Sequence, residues 1–237
     1  TGAGMEITDG KWIYKGVIAN MNASRNQPGE KAPVFAYRVD YSRGEFQGFG
    51  FAGVHGKAAN LTENILDGNG DVVAQKNSRL DLFEVDAYFI RGDWTVQGQV
   101  SLGKQKKAAV TVDPVTGELR DASWWGLSTL AAYKWSPRFE TTARLDYLNN
   151  KKNGGGLLGF TGADDRNGIG PDPAGDPEIG ANRTAITLGA SWLFNLNTTF
   201  KAEYRLDRAS QPVFINVKDS TYSKTNQMIG ASVLVSF

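Results

Sequence analysis

The chain has 237 residues, with 26 lysines and arginines against 25 aspartates and glutamates, which gives a formal net charge of +1 at pH 7. This balance creates no field that would favour nucleic acid as a partner, and the absence of cysteine excludes disulfides and thiolate metal sites. The sequence contains no run of about 18 apolar residues that would predict a membrane-spanning helix, whereas its length suffices for one large all-β unit.

Short segments in which apolar and polar residues alternate run through the chain, and this period of two predicts β-strands. The clearest example is 94–102, where Trp94, Val96 and Val100 share one face and polar residues occupy the other. For 46–56 the pattern leaves the apolar face open, because Phe49 and Val54 fall on opposite sides. In chain order, we expect strands at 2–7, 12–21, 34–41, 46–56, 80–90, 94–102, 125–133, 139–148, 184–194, 200–206 and 228–237.

The connections between these strands alternate strictly in length. Tight connections are expected at 42–45, 91–93, 136–138 and 195–197, and long polar loops at 57–78, 103–122, 149–183 and 208–225. Short turns at one end and long loops at the other are typical of strands that cross an outer membrane.

The last ten residues, MIGASVLVSF, place Ile229, Val233, Val235 and Phe237 on one face. The edge strand of a soluble sheet seldom exposes such an apolar face to water. A strand that lies between lipid and a water-filled lumen is expected to have one, on its lipid side. At this point the sequence resembles a Gram-negative outer-membrane β-barrel, whose final strand typically ends in Phe. That resemblance implies that the barrel-assembly machinery is a partner, through Phe237.

Aromatic residues recur near the ends of the predicted apolar faces, where membrane interfaces place them. The expected fold is therefore an all-β, transmembrane antiparallel up-and-down β-barrel with short periplasmic turns and long extracellular loops, located in the cell outer membrane. The alternative is a soluble β-sandwich or lipocalin-like barrel. The aromatic positions are Trp12, Tyr41, Phe89, Trp94, Trp125, Tyr133, Phe139, Tyr147, Trp192 and Phe194.

Strand direction bears on domain organisation. If the terminal strand ends at the periplasmic side, the segment 2–7 runs from the extracellular side towards the periplasm. The chain would then have to reach the start of this strand from outside the cell. We therefore expect residues 1–237 to be a single barrel domain that forms the C-terminal part of a larger barrel with even strand number. The alternative is a ten-stranded barrel with residues 1–10 as a periplasmic tail.

Nearly all charged residues within the predicted strands lie opposite the apolar face, and would line the lumen. Two interpretations stay open: the charges pair across strands and stiffen the wall, or Arg38, Arg144 and Arg205 form a ladder that guides anions or sugars. The similar segments RVDY, RLDY and RLDR suggest the ladder, but the Asp that follows each Arg would neutralise it. The pore-lining candidates are Lys15, Arg38, Asp40, Glu84, Asp86, Glu140, Arg144, Asp146, Lys201, Glu203, Arg205 and Asp207, and Glu6 adds an eighth carboxylate against five cations.

Other chemistry finds little support. The five carboxylates of the longest loop suggest calcium binding, a pore constriction or a solvated loop, while 67–71 fits a hairpin tip better than a calcium site. The single histidine, His55, lacks a nucleophile motif, so neither catalysis nor a metal or cofactor site is expected. The loop carboxylates are Asp164, Asp165, Asp172, Asp176 and Glu178.

The strand order and segments such as FAYRVDYSRGEFQGFGFAGVHGK look like the C-terminal two-thirds of a Gram-negative porin. The phosphate-selective porin O/P-like group and its uncharacterised relatives are the nearest type. The resemblance implies passive diffusion of small hydrophilic solutes or ions through a homotrimer in contact with lipid and lipopolysaccharide. The predicted lumen wall carries more carboxylates than cations, which is not what a phosphate-selective channel is expected to carry. A narrow structural or adhesion barrel, plugged by its own side chains, is the alternative.

Overall fold

The computed structural model describes residues 2–20, 32–66, 68, 72–155, 170–172 and 174–237. Eleven of the strands in this part of the chain form one sheet, in the order β1 to β10 followed by β13. The strands are β1 Gly2–Asp9, β2 Trp12–Asn20, β3 Pro33–Ser42, β4 Gln47–Leu66, β5 Val72–Arg91, β6 Trp94–Gln105, β7 Ala122–Ser136, β8 Phe139–Asn149, β9 Arg183–Asn195, β10 Thr198–Ala209, β11 Phe214–Asn216, β12 Thr221–Ser223 and β13 Thr225–Val235.

Each strand of the large sheet pairs antiparallel with the strand before it in space. The up-and-down order expected from the sequence is thereby confirmed, with β1 and β13 at the two ends of the sheet. The short turns gather at one end and the long connections at the other. The pair β11 and β12 forms a separate small hairpin inside the connection between β10 and β13.

The prediction of a long loop at 57–78 is wrong. Strand β4 continues to Leu66 and β5 begins at Val72, so each is 20 residues long. The sequence hid this extension because alternation is required only where one face of a strand meets lipid and the other meets water. Beyond that zone both faces can be polar, and the period of two is lost. Of the expected hairpin tip at 67–71, only Gly68 is among the described residues.

One face of the sheet carries bare apolar side chains. Val96, Val100, Leu145 and Val233 are between 41% and 57% exposed on it, as expected for a surface that contacts hydrocarbon. On β4 this face is the one that carries Phe49, whose ring lies 5.3 Å from that of Tyr41, so the ambiguity of 46–56 is resolved. We call this the outer face and the opposite one the inner face.

Two aromatic rows bound the outer face. On β7, Tyr133 packs 4.7 Å from Trp94 at the end with the short turns, and Trp125 packs 5.0 Å from Tyr147 towards the other end. Eight positions separate Trp125 from Tyr133. At about 3.4 Å per residue and a tilt of about 40°, the rows are roughly 20 Å apart in height, close to the apolar band of outer-membrane barrels.

Within the described residues, no helix has the length and apolar character needed to span a membrane.

Candidate pore-facing surface

The charged residues predicted to line the lumen all lie on the inner face. Register shows this directly, since Lys15 pairs with Arg38, Glu140 with Ser191 and Arg144 with Thr187. Their order across the sheet follows the strands, from Glu6 and Lys15 on β1 and β2 to Lys201, Glu203, Arg205 and Asp207 on β10.

Four aspartates share one register row across the sheet. Asp40, Asp86, Asp146 and Asp207 lie on β3, β5, β8 and β10, and each is connected to the next through directly opposed residues. Small or neutral side chains separate them, which limits repulsion between the carboxylates. The residues between them are Gly50, Gln99, Ser128 and Ala185.

Arg38 joins two of these aspartates. Its guanidinium lies 2.8 Å from a carboxylate oxygen of Asp40 and 2.8 Å from one of Asp86. Gly50 makes room for this cluster, because a Cβ there would stand 2.6 Å from Asp40 Oδ1 and 2.7 Å from Arg38 Nη2. Arg38 is thus held against the wall rather than left free in the lumen.

The pattern of an arginine bonded to the aspartate two residues later repeats on β8 and β10. Arg144 Nε donates to Asp146 Oδ1 over 2.9 Å, and Arg205 Nη2 donates to Asp207 Oδ1 over 3.0 Å. Because every arginine of the three repeats is bonded to the carboxylate two residues later, the wall displays alternating charges rather than a row of unpaired cations.

Asp207 is the most enclosed member of the row, at 3% exposure. It accepts hydrogen bonds from Arg205 and also from Arg183 Nη2, which lies 2.9 Å away. The ring of Phe214 covers Arg183 from 5.5 Å. The sequence predicts that the strand begins at residue 184 and leaves Arg183 in the preceding loop. In the structure β9 begins one residue earlier, and Arg183 lies opposite Leu148 on the inner face.

Three cavities open along the inner face in the described part of the chain, with volumes of about 410, 550 and 320 Å³. Arg144 lines all three. The first also contains Arg38, Glu84 and Asp86, together with neutral polar groups such as Gln97 that the sequence did not single out. Since residues from β3 to β8 line one cavity, the inner face is concave.

The second cavity lies towards the short turns, and its charges differ from those of the aspartate row. Glu140, Lys201 and Glu203 line it. Among the described residues these three form no ion pair. They are therefore available to a passing solute, whereas the arginines nearer the loops are already engaged.

The connection between β6 and β7 folds over the inner face at the loop end. Ala108 and Ala109 are fully buried there against Leu80 and Trp124, whose side chains point inward. Arg120 bonds Glu178 of the following connection, which ties the two segments together. Of the five loop carboxylates, Asp172 and Asp176 accept from nearby backbone N–H groups, while Asp164 and Asp165 lie outside the described residues.

Asp113 closes a tight turn in this inward-folded loop, and its carboxylate accepts from the backbone N–H of Thr116 and of Val115, each over 2.9 Å. These bonds hold the pKa of Asp113 below its ordinary value. The turn is therefore stabilised above about pH 4, and the contribution is lost as the pH falls through the lowered pKa.

Hydrogen exchange should show protection of these two amides at pH 6 that disappears on acidification. Asp113→Asn should lack the pH dependence; a variant that retains it would contradict the assignment.

His55 lies on the outer face, away from the cavities. Its ring stacks on Tyr37 at 5.8 Å, and its Nδ1 lies 2.9 Å from Asp81 Oδ1. The sequence pattern predicts nearly all strand charges on the inner face, and this opposed outward pair is an exception that lies just beyond the apolar band.

An antiparallel sheet with an apolar outside, a charged concave inside and connections that alternate between short and long defines an outer-membrane β-barrel of the Gram-negative type. This fold and its apolar outer surface place the chain in the outer membrane. More particularly, the chain belongs to the family described as "Protein of unknown function (DUF3138)", whose model matches residues 2–237.

Solved structures of OmpT, an outer membrane protein of Vibrio cholerae, share the fold. A mutant lacking loop L8 is 14% identical with a TM-score of 0.58, and covers 98% of this chain and 62% of its own. The trimer form is 12% identical with a TM-score of 0.56, and again covers 98% of this chain and 62% of its own. This chain therefore spans about three-fifths of the length of those structures. A search of curated proteins gave no match.

Proposed function

We propose that the protein is a porin, a water-filled channel of the outer membrane for passive diffusion of small hydrophilic solutes or ions. The observation that carries this proposal is the inner face, where open cavities are lined by both signs of charge and by neutral polar groups. A wall of this kind stays hydrated and discriminates weakly between solutes. Nothing in this function requires a cofactor.

The mixed wall argues against strong anion preference. The sequence pattern resembles that of the phosphate-selective porin O/P-like group, but the three arginines of the repeats are neutralised by Asp40, Asp146 and Asp207. Nearer the short turns, the carboxylates of Glu140 and Glu203 outnumber the one ammonium group of Lys201 among the charges without an ion pair in the second cavity. We therefore propose a weakly cation-preferring pore.

A narrow barrel without transport activity is the second candidate. The inward-folded connection at 106–121 favours it, because the buried Ala108 and Ala109 show that part of the loop end is packed shut. We do not propose an enzyme: His55 faces outward, and its partner Asp81 is turned to the same side. One solved form of OmpT is a trimer, which supports our proposal of a homotrimer here.

Planar-bilayer conductance of the full-length protein tests the proposal. We expect discrete current steps, grouped in threes if the channel is a trimer. Protein that is shown by heat-modifiable mobility to be folded, but that produces no steps, would overturn the channel and favour the plugged barrel.

A further inference from the structure

The second inner cavity holds two opposite charges next to each other on one strand. Lys201 and Glu203 lie two residues apart on β10, and both line this cavity of about 550 Å³. At about 3.4 Å per residue, their Cα atoms are about 7 Å apart. Among the described residues, neither takes part in an ion pair, and both side chains are exposed. An ammonium group and a carboxylate are therefore presented together to the space of the cavity.

Small residues on the neighbouring strands leave room around both charges. A Cβ added at Gly230 would meet no heavy atom within 4 Å, and one added at Gly189 would meet none nearer than 3.8 Å. The space on both sides of Glu203 is therefore open, while the hydroxyl groups beside Lys201 can donate or accept hydrogen bonds. The directly opposed residues are Ser191 and Ser232 for Lys201, and Gly189 and Gly230 for Glu203.

The other charged residues of this cavity have opposite charges of their own nearby. Arg144 donates to Asp146 over 2.9 Å. Glu140 lies directly opposite Lys134 on β7, and Lys134 is not part of the cavity lining. Unlike charges in directly opposed positions attract each other, so the negative charge of Glu140 is offset from outside the cavity. The two unlike charges on β10 are thus the pair that is best placed to meet a solute.

We propose that Lys201 and Glu203 form a binding subsite for small zwitterions of the dipeptide class. Lys201 binds the carboxylate of the solute, and Glu203 binds its terminal ammonium group. Two extended residues span about 7 Å, which matches the spacing of the two side chains along β10. A solute with a single charge would gain one of these contacts and be repelled by the other side chain. The inference rests on the channel function proposed above and names the class of its solute.

Saturation-transfer NMR of diglycine with the full-length protein in an uncharged detergent tests the subsite. Lys201→Gln and Glu203→Gln should each weaken diglycine binding about threefold, since ion contacts that remain exposed to water contribute little individually. N-acetyl-diglycine and diglycine amide, which each carry one charge at neutral pH, should bind the unmodified protein about threefold more weakly than diglycine does.

Three variants separate charge, space and non-specific effects. The exchange of the two side chains, Lys201→Glu with Glu203→Lys, keeps both charges and should bind diglycine in the reversed direction. Gly230→Val occupies the open space beside Glu203 without a change of charge, and should weaken binding. The matched control Arg43→Gln with Glu45→Gln removes one charge of each sign from a short turn outside the cavities, and should bind normally.

Conductance separates failure of the subsite from failure of the channel. Diglycine should reduce the single-channel current of the unmodified protein, and Glu203→Gln should lessen that reduction. Protein that conducts but does not bind diglycine would overturn the subsite and keep the channel, whereas protein that binds diglycine without current steps would do the opposite. Equal binding of diglycine and its acetylated form, equal losses in the control, or a loss in the exchanged variant as large as in Glu203→Gln would each overturn the subsite.

Discussion

Replacing Arg144 by Glu is expected to raise the permeability of the channel for cations over anions at least about threefold. Arg144 borders all three inner cavities, so the substitution changes the charge by two units at the point where they meet. It also leaves Asp146 without the Nε–H donor that now holds it. Reversal potentials in a salt gradient around 0.1 M measure the ratio, because charges about 10 Å apart still interact at that ionic strength.

The controls for Arg144 separate charge from shape. Arg144→Lys keeps the positive charge and should leave the permeability ratio nearly unchanged. Arg43→Glu makes the same two-unit change in a tight turn outside the cavities, and should have a smaller effect. Equal ratios for Arg144→Glu and Arg43→Glu would contradict the assignment of Arg144 to the path of the ions.

Removing the carboxylate of Asp207 is expected to cost about 2–3 kcal/mol in the free energy of unfolding. Breaking one partner of a buried ion pair typically costs about 3–5 kcal/mol, and we lower that value because Arg183 and Arg205 keep 22% and 28% exposure. Asp207→Ala removes the carboxylate that both guanidiniums share, and leaves Arg183 beside the ring of Phe214 without it. Urea unfolding in lipid vesicles measures the difference from the unmodified protein.

Glu6→Ala provides the matched control for Asp207. Glu6 pairs with Lys15 at 3.4 Å, but the two side chains are 57% and 45% exposed. Solvent-exposed pairs of this kind contribute about 0–1 kcal/mol. If Asp207→Ala lowered the free energy of unfolding no more than Glu6→Ala, the buried contacts of Asp207 with Arg183 and Arg205 would not stabilise the protein, and the account would be contradicted.

The sequence was informative about the fold because the membrane imposes a local rule. Each strand that separates lipid from water must alternate, so Val96, Val100 and Val233 could be assigned to one face before any pairing was known. The rule fails beyond the apolar band, so the sequence predicts a loop where β4 and β5 in fact extend. It is also ambiguous where both faces carry large residues, as at Phe49 and Val54.

The inner face was partly accessible to the same reasoning. Alternation gave the side on which Arg38, Arg144 and Arg205 lie, and the spacing of two gave their partners Asp40, Asp146 and Asp207. The second partner of Arg38, Asp86, lies 48 positions away. Its proximity depends on the register across β3, β4 and β5, which no local pattern encodes. Inward folding of Ala108 and Ala109 depends likewise on tertiary packing.

Cysteine labelling measures most directly which side of the sheet meets water. The chain has no cysteine, so single substitutions at Val96, Gln97, Gln99 and Val100 provide adjacent positions on opposite faces without further change. In the reconstituted protein, a charged, membrane-impermeant thiol reagent should modify residues 97 and 99 and spare 96 and 100, while a lipid-soluble reagent should show the reverse. Modification of 96 and 100 from water, with 97 and 99 protected, would contradict the arrangement of an apolar outside around a charged, hydrated inside.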